Sequence, residues 1–93
     1  MPTFVMLTNL TSDGVKTLKG NPGRVTEVNR EVEALGARVV AQYATLGQYD
    51  FISVIEAPSD EVMAKVSVEM GSRGTMTSQT LSALPAERLV EVL

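Results

Sequence analysis

The 93 residues include no cysteine and no histidine. The first absence excludes thiol nucleophiles, disulfides, iron–sulfur clusters and thiolate zinc sites. The second excludes a Ser-His-Asp triad and histidine-ligated haem, and removes the commonest acid–base group near neutral pH. A metal would have to be held by carboxylates alone. No compact acidic cluster with ligand spacing is present, so neither metal nor cofactor is expected. Aromatic side chains are few, two tyrosines and two phenylalanines, which leaves little to stack on bases. The net charge is −3 and the basic residues are scattered, so nucleic acid is not an expected partner. No apolar run approaches the ~20 residues of a membrane span. Met1-Pro2-Thr3 opens straight into apolar sequence, with no basic region and no small-residue cleavage site. The expected location is therefore cytoplasmic, with no membrane partner.

What remains is a globular chain, 44% hydrophobic and 20% charged, with the length of one domain spanning 1–93. Thr3 to Leu10 reads as a strand that is apolar on both parities, with Phe4 and Met6 on one face and Val5 and Leu7 on the other. Thr11 is placed to cap a short helix that Gly20 stops near Lys19. A second helix is expected from about Pro22, with Val25, Val28, Val32 and Leu35 in one stripe and Gly36 as its end. Ala37 to Tyr43 reads as a second strand and Tyr49 to Glu56 as a third. The turn between them contains Gly47, a residue able to take positive φ. Ser59 or Asp60 caps a further helix whose apolar face includes Val62, Met63, Val66 and Met70. Thr75 to Ala83 reads as a hydroxyl-rich fourth strand. Pro85 opens a C-terminal helix with Leu89, Val90 and Leu93 as its apolar contacts.

This order predicts an α+β fold, a ferredoxin-like βαββαβ sandwich with an antiparallel sheet in the order 4-1-3-2 and a C-terminal helix. Helices in such a fold cover one face of the sheet. The first and third strands are apolar on both faces, so the other face predicts an interface, most simply in a homodimer or a multiple of it resembling a dimeric α+β barrel.

Gly47-Gln48-Tyr49-Asp50 matches the G-x-Y-D signature of the GYD-domain family. Gly14-Val15-Lys16, Pro22-Gly23-Arg24, Glu56-Ala57-Pro58, Gly71-Ser72-Arg73-Gly74 and Thr80-Leu81 also resemble that family, in order along nearly the whole chain. The resemblance implies a small ferredoxin-like domain and carries no settled activity. A more distant likeness is to the effector-sensing domains of leucine-responsive regulators, whose sheets pair into dimers and which bind amino acids at subunit interfaces. This chain has no helix-turn-helix beside it.

Candidate chemistry is sparse. Asp50, beside apolar neighbours, could act as a general base, although an aspartate at such a turn more commonly accepts backbone N–H bonds. Tyr43 and Tyr49 flank the same hairpin and could orient a substrate, or pack at a dimer interface. Ser78 and Thr80 are candidate ligand contacts, expected to place hydroxyls on both faces of the fourth strand. The alternative is a polar edge strand. Arg24 could pair with an anionic group near the start of the second helix, or belong to a solvated basic patch with Lys16 and Lys19. Met63 and Met70 read as core fillers. The leading expectation is a small-molecule-binding or sensing module in a homo-oligomer. The rivals are a cofactor-independent enzyme, monooxygenase- or isomerase-like, and a structural assembly subunit without ligand.

Overall fold

The computed structural model describes residues 1–93. Strand β1 (Thr3–Leu10) leads into helices α1 (Ser12–Gly20) and α2 (Arg24–Ala34). Strands β2 (Arg38–Ala44) and β3 (Phe51–Glu56) follow, then α3 (Asp60–Gly71), β4 (Met76–Ala83) and α4 (Ala86–Val92). The sheet is antiparallel throughout, in the order β2-β3-β1-β4. That is the expected 4-1-3-2 order read from the opposite edge, and the fold is a ferredoxin-like α+β sandwich. Its first helical segment is split in two at Asn21-Pro22-Gly23, where proline and glycine interrupt the helix.

Pairing of β1 with β3 and β4 sorts the side chains between two faces. Phe4 lies opposite Ile55 and Ser82, and Met6 opposite Ser53 and Thr80, under the helices. Val5 lies opposite Val54 and Leu81, and Leu7 opposite Ile52, on the open face. The covered face joins Val32 of α2 and Met63, Val66 and Met70 of α3 in one core. Only 12 of 93 residues are buried, and the central apolar side chains of the open face, Val5, Leu7, Ile52 and Val54, are half-covered. Tyr43 is 62% exposed there and Leu81 41%. The bulge around Val40 shifts the β2–β3 register, which returns Gln42 to the covered face opposite Ser53 and Tyr43 to the open face opposite Ile52.

Local chemistry sets the boundaries. The Thr11 hydroxyl accepts from the Gly14 amide at 3.2 Å, and the Ser59 hydroxyl from the Val62 amide at 3.2 Å, so α1 and α3 start where their caps sit. Helix α2 has no side-chain cap and begins at Arg24, two residues beyond the expected Pro22. Strand β3 begins at Phe51, not Tyr49, because Asp50 makes its bonds to β1 partly through its side chain. Ser78 and Thr80 do not face opposite ways. Their partners Thr8 and Met6 place both on the helix side. Leu89, Val90 and Leu93 do not supply packing for α4 either. Val90 is 71% exposed and no residue of α4 is buried, so this helix stands off the body.

Gly14 is the glycine most closely approached by the rest of the chain. An ideal Cβ there would lie 2.0 Å from the Thr75 carbonyl oxygen, a backbone atom that cannot swing aside. Gly14→Ala should therefore force α1 away from the α3–β4 loop and destabilise the chain by about 1–3 kcal/mol. For a domain this size that is a fall in melting temperature of about 5 °C or more. An unchanged melting curve would show that α1 does not seat on that loop.

Candidate functional site

The end of β1 gathers the segments that carry the family resemblance. Leu10 donates its amide to Asp50 Oδ2 at 2.8 Å, forty residues along the chain. The Asp50 amide donates to the Thr8 carbonyl at 2.8 Å, and the Asp50 carbonyl accepts from the Thr45 amide at 2.8 Å. The Thr45 hydroxyl donates to the Tyr49 carbonyl. One aspartate thus joins the β2 end, the β2–β3 turn and β1. Gly47, at φ +112, lets the turn close in the left-handed region. One residue beyond Leu10, the Thr11 amide donates to the Thr75 carbonyl at 3.0 Å and the Thr11 hydroxyl to the Gly74 carbonyl at 2.8 Å.

Beside this corner, between the sheet and helices α1 and α2, lies a cavity of about 170 Å³. Its walls are mainly apolar, with Met6, Leu18, Val25, Val28, Phe51 and Met76 among them. Three of the neutral polar side chains that line it are linked by hydrogen bonds. Asn29 Nδ2 donates to Gln42 Oε1 at 2.9 Å, and Gln42 Nε2 donates to Ser53 Oγ at 3.0 Å. Arg24 and Arg73 also line the cavity, and both grip Glu31 from opposite sides. Arg24 also pairs with Glu27 at 3.0 Å. The hydrogen bond from Arg73 holds the Glu31 carboxyl below the ordinary glutamate value; partial burial opposes this, and Arg24 adds to the lowering. Hydrogen bonds to Glu27 and Glu31 raise the Arg24 guanidinium above its already high value.

Of the candidates read from sequence, only Arg24 lines this cavity. Asp50 Oδ2 is engaged by the Leu10 amide. Tyr43 is exposed on β2, and Tyr49 Oη donates to Gln79 Oε1 at 3.0 Å across the open face. The structure does not bring these three side chains together. Ser78 borders a shallow depression with Leu7, Asn9, Tyr49, Thr77 and Gln79. The Ser67 hydroxyl donates to the Met63 carbonyl, so the 2.8 Å contact with Thr80 uses the Thr80 hydroxyl as donor and ties β4 to α3. Arg73, Glu31, Asn29, Gln42 and Ser53 were not singled out from sequence. Ser53 carried a signal, as a polar residue at a covered-face position of an apolar strand. Nowhere do three or more carboxylates gather in a way that could hold a metal ion, and no helix is long and apolar enough to cross a membrane.

A four-stranded ferredoxin-like sandwich with one covered face, a corner tied by an aspartate and a small cavity under two helices defines the class: a small α+β domain. More narrowly, the GYD domain model matches residues 4–93, and the chain belongs to that family. A relative from Thermus thermophilus, named glutamine synthetase and cystathionine beta-lyase binding protein, is 48% identical over 91 residues, covering 97% of this chain and 96% of the relative. No solved structure matches.

Two outcomes follow from this geometry. Asp50→Ala removes the acceptor for Leu10 and should cost about 1.5–3 kcal/mol at pH 7, measured by urea unfolding, with Asp50→Asn falling between it and wild type. A neutral effect of Asp50→Ala would mean that the corner does not depend on that bond. For Glu31 the depressed folded value contributes stability above the ordinary ionisation range, and this is lost as pH falls through the lowered value. Wild type should therefore lose more stability than Glu31→Gln between about pH 5 and pH 3. Parallel pH profiles would contradict the double arginine grip.

Proposed function

We propose that this chain is a protein-binding module that self-associates through its open sheet face and docks on an enzyme of amino-acid metabolism, with glutamine synthetase the first candidate and cystathionine beta-lyase the second. The observation that carries this reading is the 48% identity to the Thermus thermophilus binding protein along almost the whole of both chains. At that identity the fold carries across. The surface supports it. Val5, Leu7, Ile52 and Val54 form an apolar strip on the face that no helix covers, flanked by Tyr43 and Leu81. Charge on that face is confined to the Arg38–Glu56 pair at one end, so two copies can stack without burying an unpaired ion. Helix α4 adds a second unpartnered apolar surface through Leu89, Val90 and Leu93. In this reading the module is a single unit of residues 1–93 working in the cytoplasm, with no role for nucleic acid.

The test is direct. The purified chain, passed over immobilised glutamine synthetase and cystathionine beta-lyase from its own source, should bind at least one of them at micromolar concentration or tighter. In sedimentation it should run as a dimer or a multiple of one. Leu81→Glu, at an exposed position of the open face, should shift that distribution towards monomer without lowering the helical content. A chain that captures neither enzyme overturns the docking reading. A stable wild-type monomer at micromolar concentration overturns the self-association reading.

A further inference from the structure

The cavity under α1 and α2 has a composition that core packing does not require. Val25 and Val28 of α2 point towards the sheet yet remain half-exposed, as do Leu18 of α1 and Phe51 of β3. A sandwich of this size ordinarily closes such a gap, because unfilled apolar space loses both burial and dispersion contacts. Here the space is kept, and part of its wall is a chain of hydrogen-bonded side chains. In the Asn29–Gln42–Ser53 relay the serine oxygen accepts, so its hydroxyl hydrogen remains free to donate.

The charges on the wall are of one sign. Arg24 and Arg73 line the cavity, whereas their carboxylate partners Glu27, Glu31 and Glu69 do not. Both ion pairs of Arg24 run through Nη1, which leaves Nη2 and Nε for another acceptor. Glu31, held by both arginines, fixes the two guanidinium groups at the same side of the cavity. A planar guanidinium with two free donor nitrogens is the side chain best matched to a carboxylate. A volume of about 170 Å³ is close to that of an apolar protein cavity known to hold a six-carbon ring, so the occupant is a molecule of roughly six to nine non-hydrogen atoms.

We propose that this cavity is a binding site for a small monocarboxylic acid with an apolar body, its carboxylate held by Arg24 and Arg73 and its body lodged between Val28 and Phe51. Ser53 meets any further oxygen that the acid carries along its chain. The site is separate from the open sheet face and from α4, so it stands independently of whether the chain docks on an enzyme.

Isocaproate and its neutral isostere isocaproamide separate charge recognition from simple filling of the space. Titration of the full chain, followed by backbone amide shifts and by calorimetry, should show saturable binding of isocaproate below about 1 mM. The shifts should centre on Met6, Val28 and Phe51 and leave Val5, Val54 and Leu81 unmoved. The double variant Arg24→Gln, Arg73→Gln should weaken isocaproate by about tenfold or more and leave isocaproamide unchanged. Val28→Phe, which fills the space, should abolish binding of both. Should that variant fail to fold, the wild-type shift map and the arginine variant decide the matter. No saturable shift up to about 10 mM isocaproate, an amide that binds as tightly as the acid, or shifts confined to the open face would each overturn the proposal.

Discussion

Where β1 turns into α1, two consecutive residues are tied to two segments distant in sequence. Leu10 is held by the Asp50 carboxylate, and Thr11 by the backbone at Gly74 and Thr75. Without the Asp50 bond the Leu10 amide would meet no partner on the β3 side, since the β3 ladder stops at Thr8 opposite Phe51 while the β4 ladder runs on to Leu10. The carboxylate acts as a missing strand residue, and its bond carries the strength of a charged acceptor. Gly14 then comes close enough to the Thr75 carbonyl to exclude any side chain. That corner seats α1, which forms part of the cavity wall, against the loop that follows Arg73.

The two faces of the sheet divide the work. The covered face is closed firmly by α3, whose Met63, Val66 and Met70 are buried, and more loosely by α1 and α2, where the cavity lies. The open face is apolar in its central strands and polar towards β4, where Thr77 and Gln79 stand on the edge. Tyr49 reaches across from the turn before β3 to Gln79 on β4, over the strand that separates them. The G-x-Y-D segment therefore serves both sides of the sheet margin, with the tyrosine braced to β4 and the aspartate anchoring β1.

Local and periodic features were legible in the sequence. The double parity of β1, the Thr11 and Ser59 caps, the turn at Gly47 and the strand order all follow from spacing and from the conformational limits of single residues. What was not legible depends on contacts between distant residues. Asp50 reads as a turn former, and only the fold shows that its partner is Leu10 rather than the turn's own amides. Gly14 reads as an ordinary glycine of a short helix until Thr75 is placed beside it. Arg73 and Glu31 lie 42 residues apart and look like two surface charges. Gln42 became a cavity residue because the bulge around Val40 moved it there, a shift that strict alternation would not show. The bond from Thr80 to Ser67 of α3 likewise joins residues whose proximity spacing does not show.

Helix α4 has only seven residues and no buried side chain. A helix that short has too few turns to offset the entropy of nucleation, so in isolation it is marginal in water. Its amides should exchange with solvent with a free energy of opening near zero, while those of β1 and β3 require opening of the whole sheet. Any surface that takes up Leu89, Val90 and Leu93 must therefore first offset the ordering of the helix. The contact would be weak for its area and fast to release, the kinetics suited to a partner that is held and let go.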